Sequence, residues 1–183
     1  MACASGGFSL LELIVVVAVL GVLSAVFLPM TRDADGEALA VANELASWLD
    51  TVQRRSQRLV AQPCTVTFDL TTSNSAIATG DQLASVVPSN CAIGAVRVPA
   101  IQFSPGRFQG RRSGSATLVY TPRGTVTASD DTVLSLQPQG STVLRCVRVS
   151  GVLGLISLGS ATLTSPTDTA TTCADASYSA VFP

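Results

Sequence analysis

The chain has no histidine and no lysine; all 11 of its basic residues are arginine. Histidine is the usual general base and the commonest metal ligand, so both chemistries lose their ordinary carrier. Charged residues make up only 13% of the 183, and their signs nearly cancel to a formal −1. That balance excludes a chain-wide basic surface for nucleic acid and an acidic tail. Enzyme signatures are missing as well. There is no G-x-S-x-G, no phosphate-cradling loop, no dinucleotide glycine pattern and no metal-ligand cluster. Gly110-Arg111-Arg112-Ser113-Gly114 has the wrong spacing for a nucleophile elbow, and Asp130-Asp131 reads as a hairpin tip rather than an acid/base pair. No catalytic residue, cofactor or metal site is expected, and the chain does not read as an enzyme.

What is present begins at the N-terminus. Phe8 to Leu28 is a run of 21 residues in which Glu12 is the only charge. As a helix it is about 31 Å long, enough to cross the hydrocarbon core of a bilayer. A cleaved secretory signal needs a positive leader and a small-residue cleavage site. Met1 to Gly7 carries no Lys or Arg, and Leu23-Ser24-Ala25 is only a partial site. A plain membrane anchor explains the length but leaves Glu12 without a role, although a carboxylate inside a membrane span is costly.

A third reading accounts for more residues at once. Gly7-Phe8-Ser9-Leu10-Leu11-Glu12-Leu13 resembles the processing motif of type IV pilins and type II secretion pseudopilins. The resemblance implies cleavage after Gly7 by prepilin peptidase, N-methylation of Phe8, and a role for Glu12 in subunit assembly. Gly21 and Pro29 stand where pilins often carry a helix-loosening Gly and a kinking Pro. The family's leaders usually carry Lys or Arg; this one departs in having neither. Cys3 would leave with the leader. The physics is consistent with the implied roles. After cleavage Phe8 bears an ammonium, and Glu12 of a neighbouring subunit can neutralise it in a low-dielectric bundle, where the attraction is stronger than in water.

Past Pro29 the pattern changes. Residues 31–62 read as the exit from the membrane followed by an amphipathic helix, from about Asp35 to Ala61. Ala38, Val41, Leu45, Trp48, Val52 and Leu59 form a stripe at three- and four-residue steps, with a gap at Arg55. Its role is a core face, with Trp48 as an anchor. Pro63 ends the element. From residue 63 to 183, short apolar runs alternate with turn residues. Expected strands are Cys64–Leu70, Ala92–Val98, Ala116–Tyr120, Val133–Leu136, Val143–Ser150, Leu153–Leu158 and Tyr178–Phe182, with loops at Thr71–Ser75 and Ser165–Thr172. Four cysteines, Cys64, Cys91, Cys146 and Cys173, follow the apolar run, and none is in C-x-x-C spacing. In an exported domain they read as two disulfides with three possible connectivities. Nearest-neighbour pairing, Cys64–Cys91 and Cys146–Cys173, is favoured; each loop is worth roughly 3.5 kcal/mol in the chain-entropy model. The expected fold is α+β: a long N-terminal helix, half membrane and half amphipathic, packed on a β-sandwich-like head. The parts are a leader (1–7), a transmembrane helix (8–30), the amphipathic helix (31–62) and the β-rich head (63–183).

Gln57–Phe68, Phe103-Ser104-Pro105-Gly106, Thr121-Pro122-Arg123-Gly124 and Arg145–Gly154 resemble the H-type pseudopilin and T-type minor pilin pattern. That resemblance implies a minor subunit of a type IV pilus or type II secretion pseudopilus. It would be a single-pass inner-membrane protein with its head in the periplasm or outside. Its partners would be other pilin or pseudopilin subunits, prepilin peptidase, the inner-membrane assembly platform and the membrane itself. Between Arg97 and Arg148 seven Arg face two Asp, a segment net charge of +5. Arg suits phosphate, so Arg107, Arg111 and Arg112 form a candidate DNA-binding patch for a DNA-uptake pilin. Some T-type pilins bind DNA through a Gly-Arg motif; the corresponding Gly154-Leu155-Ile156-Ser157 has no Arg. The remaining alternative is a bitopic anchored β domain with no filament role.

Overall fold

Apolar side chains at helical spacing decide where the head's core lies. In the computed structural model, which describes residues 12–19, 34–59, 62–92, 94–99, 108–167 and 172–180, the chain divides into two units, 1–33 and 34–183. In the first unit residues 12–19 are helical (α1). The second opens with helix α2, Ala34–Arg58. Ala38, Val41, Ala42, Leu45, Ala46, Leu49 and Val52 of α2 are all buried. They recur at the 3- and 4-residue steps that bring side chains to one helical face. Asp35 and Glu37 occupy the first turn and Arg55 and Arg58 the last, which complements the helix dipole.

The buried stripe differs from the expected one in an informative way. Trp48 sits at its rim, half-buried, with Nε1 donating to the Gly94 carbonyl at 3.1 Å. Leu49 takes the central position instead. The gap at Arg55 is closed by Ser56, which is fully buried and donates its hydroxyl to the carbonyls of Gln53 (2.7 Å) and Thr121 (3.2 Å). A buried hydroxyl with partners is tolerated on an apolar face, and an apolar-only pattern search passes over it. The helix ends at Arg58, three residues before the expected end.

The head has ten strands among the described residues: β1 (Cys64–Phe68), β2 (Ser75–Ile77), β3 (Gln82–Val87), β4 (Val96–Arg97), β5 (Phe108–Ser113), β6 (Thr117–Tyr120), β7 (Thr132–Pro138), β8 (Val143–Val149), β9 (Ile156–Thr162) and β10 (Ser177–Ala180). They form a four-stranded sheet in the order β4-β3-β1-β6 and a six-stranded sheet in the order β10-β9-β8-β7-β5-β2. The pairings are antiparallel. One core is shared by α2 and both sheets, with Val66, Leu83, Leu118, Tyr120, Leu134, Leu136, Val147 and Val149 among its members. The opposite face of the six-stranded sheet carries a second, smaller cluster: Leu144, Cys146, Ala161, Leu163 and Cys173. The head is thus α+β, a helix followed by a mainly β domain.

Three strands lie where none was expected. β2 begins at the end of the expected Thr71–Ser75 loop. β3 buries adjacent Leu83 and Ala84 because its register slips between Gln82 and Ala84, which breaks the alternation. β5 reads Phe-Gln-Gly-Arg-Arg-Ser, a polar string with a glycine, yet it is paired on both sides, by β7 and β2. A Cβ added at Gly110 would lie 2.1 Å from Ile77 Cδ1 and 2.8 Å from Leu70 Cδ2, so the glycine makes room for two apolar side chains. The expected Ala92–Val98 strand contracts to Val96–Arg97, and Val133–Leu136 grows to Thr132–Pro138. Asp130-Asp131 is not a hairpin tip; it leads into β7 and docks on the β8–β9 connection.

Candidate functional site

Glu12 is the first described residue of α1 and is exposed. The apolar residues that follow are exposed too; Leu13, Ile14, Val15, Val16, Val17 and Val19 retain 45–61% of their surface. A helix that is apolar all round requires a non-aqueous partner, lipid or protein. Among the described residues no helix is long and apolar enough to cross a membrane. Most of the expected span 8–30 lies outside the described residues, as do Gly7, Phe8, Gly21 and Pro29.

The head holds two disulfides. Cys64 Sγ and Cys91 Sγ are 1.98 Å apart, and Cys146 Sγ and Cys173 Sγ are 1.93 Å apart. The first joins the start of β1 to the 3-10 turn Ser89–Cys91, and the second joins β8 to the 3-10 turn Cys173–Asp175. Among the described residues no group of His, Cys, Asp or Glu could hold a metal ion.

Among the described residues, the arginines proposed for one patch do not share a face. Arg107 lies outside the described residues. Arg111 and Arg112 are neighbours on β5, so strand alternation sends them to opposite faces. Arg112 pairs in register with Leu134, on the core side, and Arg111 with Ser135, on the other. Arg112 donates Nε to the Leu70 carbonyl at 3.1 Å and Nη1 to the Gly114 carbonyl. Arg97 donates to the Gly80 carbonyl at 2.9 Å. Arg148 donates Nε to Asp131 Oδ2 at 2.7 Å and lies 5.4 Å from the centre of the Tyr178 ring. The Gly151 N–H, above all, holds the Asp131 carboxyl below the usual carboxylate range; desolvation opposes it, and Arg148 adds to the lowering by hydrogen bond and charge. Burial pushes the Tyr178 phenol up, with Arg148 opposing; its hydroxyl donates to the Cys173 carbonyl at 2.7 Å. The Tyr120 phenol is held up by burial and then by Asp50. These contacts are structural ties, and they occupy Arg97, Arg112 and Arg148.

The outer face of the six-stranded sheet also forms a cleft of about 320 Å³. Arg111, Ser113 and Asn74 stand on one side, with Val133, Leu144 and Leu163 among its apolar lining. The sequence pattern does not announce this cleft, because no strand is expected over Phe108–Ser113 and the register that brings Arg111 beside Ser135 is a tertiary fact.

Residues 3–28 match the family described as "Prokaryotic N-terminal methylation motif". That motif is typical of pilins and pseudopilins processed by prepilin peptidase, and the match supports a type IV pilin-like family. It covers Gly7, Phe8 and Glu12 and leaves the head unassigned. No curated protein and no solved structure matches the chain.

Proposed function

We propose that the chain is a minor pilin or pseudopilin subunit. Prepilin peptidase cuts it after Gly7, Phe8 is N-methylated, and the product is assembled into a type IV pilus or a type II secretion pseudopilus. The observation that carries this reading is one acid, Glu12, four residues after the Gly7-Phe8 junction in an otherwise apolar segment that matches the methylation motif. The mature subunit waits in the inner membrane as a single-pass protein and takes its place beside other pilin-type subunits on an assembly platform. A head with two disulfides suits the oxidising side of that membrane. The H-type and T-type sequence patterns around Thr121–Gly124 and Arg145–Gly154 favour a minor over a major subunit.

Mass spectrometry of the mature N-terminus tests the reading directly. The expected species begins with N-methyl-Phe8. A chain that starts at Met1, or near Val26 as a signal peptidase product would, overturns it.

A further inference from the structure

The cleft on the outer face of the six-stranded sheet has a definite chemical character. Its floor is apolar: Val133 of β7, Leu144 of β8, and Leu163 beside the Cys146–Cys173 disulfide. On one wall Arg111 is half-buried and faces Ser135 across β5 and β7. Ser135 spends its hydroxyl on the Arg111 carbonyl at 3.2 Å, which fixes the backbone beneath the guanidinium. Gln137 is buried and closes one end, donating to the Ser141 and Pro166 carbonyls at 2.9 Å each. No acid lines the cleft among the described residues, and none of them pairs with the Arg111 guanidinium. Arg112, by contrast, is tied to two carbonyls and cannot turn to a ligand without losing them.

Charge and size then restrict the ligand. A partly desolvated guanidinium without a counter-ion gains from an incoming anion through charge-assisted, bidentate hydrogen bonds. Arg111 is the one cation among the described lining residues, and a single cation balances a monoanion better than a phosphate dianion. The floor rewards an aliphatic group, at about 0.8 kcal/mol per buried methylene. A volume of about 320 Å³ is at the small end for ligand pockets. We propose that this cleft binds an aliphatic carboxylate of about leucine size, with the carboxylate on Arg111 and the alkyl group over Leu144 and Leu163. The carboxylate is either that of a polypeptide's C-terminal residue or that of a free branched-chain acid. This site is separate from the N-terminal motif and stands or falls without it.

Methyl and arginine Nε–H NMR of the full chain in detergent reads the binding, with three probes: N-acetyl-Gly-Leu, its C-terminal amide, and 4-methylpentanoate. The expected result is saturable movement of the Leu144, Leu163 and Val133 methyls and of the Arg111 Nε–H with the acids. The amide, which enters micelles at least as readily, binds about tenfold more weakly or not at all. Tighter binding of the peptide acid identifies a chain terminus as the source; equal or tighter binding of 4-methylpentanoate identifies a free acid. Arg111→Gln weakens acid binding by about tenfold or more, and Arg111→Lys by less, because it keeps the charge without the fork. Arg123→Gln, in an exposed turn, changes nothing. The proposal is overturned by unsaturated shifts up to about 10 mM acid, by equal binding of acid and amide, or by wild-type affinity in Arg111→Gln. The acid–amide comparison uses the unaltered protein, so it decides the matter even if a variant folds poorly.

Discussion

Asp131 shows how one carboxylate joins two connections. Its Oδ1 accepts from the Gly151 N–H at 3.0 Å and its Oδ2 from Arg148 Nε at 2.7 Å. Both contacts favour the ionised form, so the folded pKa lies below the unfolded value near 3.9. A depressed carboxylate pKa stabilises fully above the unfolded pKa, and that stability disappears as pH falls through the folded one. Asp131→Asn keeps an oxygen for Gly151 but removes the charge. It should therefore be less stable than the parent at pH 7, with the gap closing towards pH 2. The Asp131 side chain is 38% exposed, so the loss is in the surface-pair range, about 1 kcal/mol or less. Urea midpoints across that pH range check it; parallel pH profiles for the two proteins would show that the pair contributes nothing. The neighbouring Gly114 is a sharper case. It has φ +86°, and a Cβ there would lie 2.4 Å from the Asp131 carbonyl oxygen and 2.9 Å from Thr132 Cα. Those are backbone atoms and cannot rotate away. Gly80 has φ +88° with nothing within 4 Å. Gly80→Ala bears only the backbone strain, roughly 1–3 kcal/mol, whereas Gly114→Ala adds the collision. Denaturant midpoints should rank the parent above Gly80→Ala and Gly80→Ala above Gly114→Ala.

Among the elements, α2 was the most legible and β5 the least, and the reason is where each gets its stability. The α2 stripe is local: Ala38, Val41, Leu45 and Val52 announce the core face by spacing alone, and all four are buried. Leu45→Ala should cost about 2–5 kcal/mol, while Glu44→Ala, on the exposed side, should stay within about 0.5 kcal/mol. A thermal or chemical melt of the two variants distinguishes them; similar losses would mean that α2 is not docked through this face. β5 draws its order from two neighbouring strands, and its polar residues are placed by register rather than by hydrophobicity. The pattern that identifies β8, Val143–Val149, is simply absent from Phe108–Ser113. For the same reason the cleft could not be read in advance: Asn74, Arg111, Leu144 and Leu163 are scattered along the chain and meet only after the sheet forms. Cysteine spacing stood between these cases. It left three connectivities open, and the structure has the nearest-neighbour one, whose two disulfides each span 27 residues. The Cys146–Cys173 link fixes the 3-10 turn against β8. Cys146→Ser with Cys173→Ser should cost about 2–5 kcal/mol, read as a lowered urea midpoint under oxidising conditions. An unchanged midpoint would mean that the turn is held by the Tyr178–Cys173 hydrogen bond and packing alone.

At the scale of the whole molecule, a folded disulfide-linked head and an exposed apolar helix with one acid place opposite demands on solvent. The head has its own core, whereas residues 12–19 are all exposed. In the proposed subunit the membrane meets that demand first and neighbouring subunits meet it later. In that proposal Glu12 is what makes the exchange directional. An acidic residue at the centre of a membrane helix costs on the order of 2.5–3.5 kcal/mol on insertion scales, and less towards the interface. In the proposed subunit, pairing with the Phe8 ammonium of a neighbour would offset part of that cost only after assembly. Glu12→Gln removes the charge while keeping length and a hydrogen-bonding end. It should be cleaved and methylated normally and sit in the membrane at least as well as the parent. Its share in sheared filaments or pseudopili should fall several-fold, in line with losing an ion pair in a low-dielectric bundle. Glu12→Asp keeps the charge one methylene short and should fall between the two. The measurement is the ratio of mature subunit in filament and membrane fractions, with the mature N-terminus confirmed by mass. Parent-like incorporation of Glu12→Gln would leave apolar packing of the helix as the driving force and remove the carboxylate from the assembly step. Failure of cleavage in the same variant would instead move Glu12 from assembly to recognition by the peptidase.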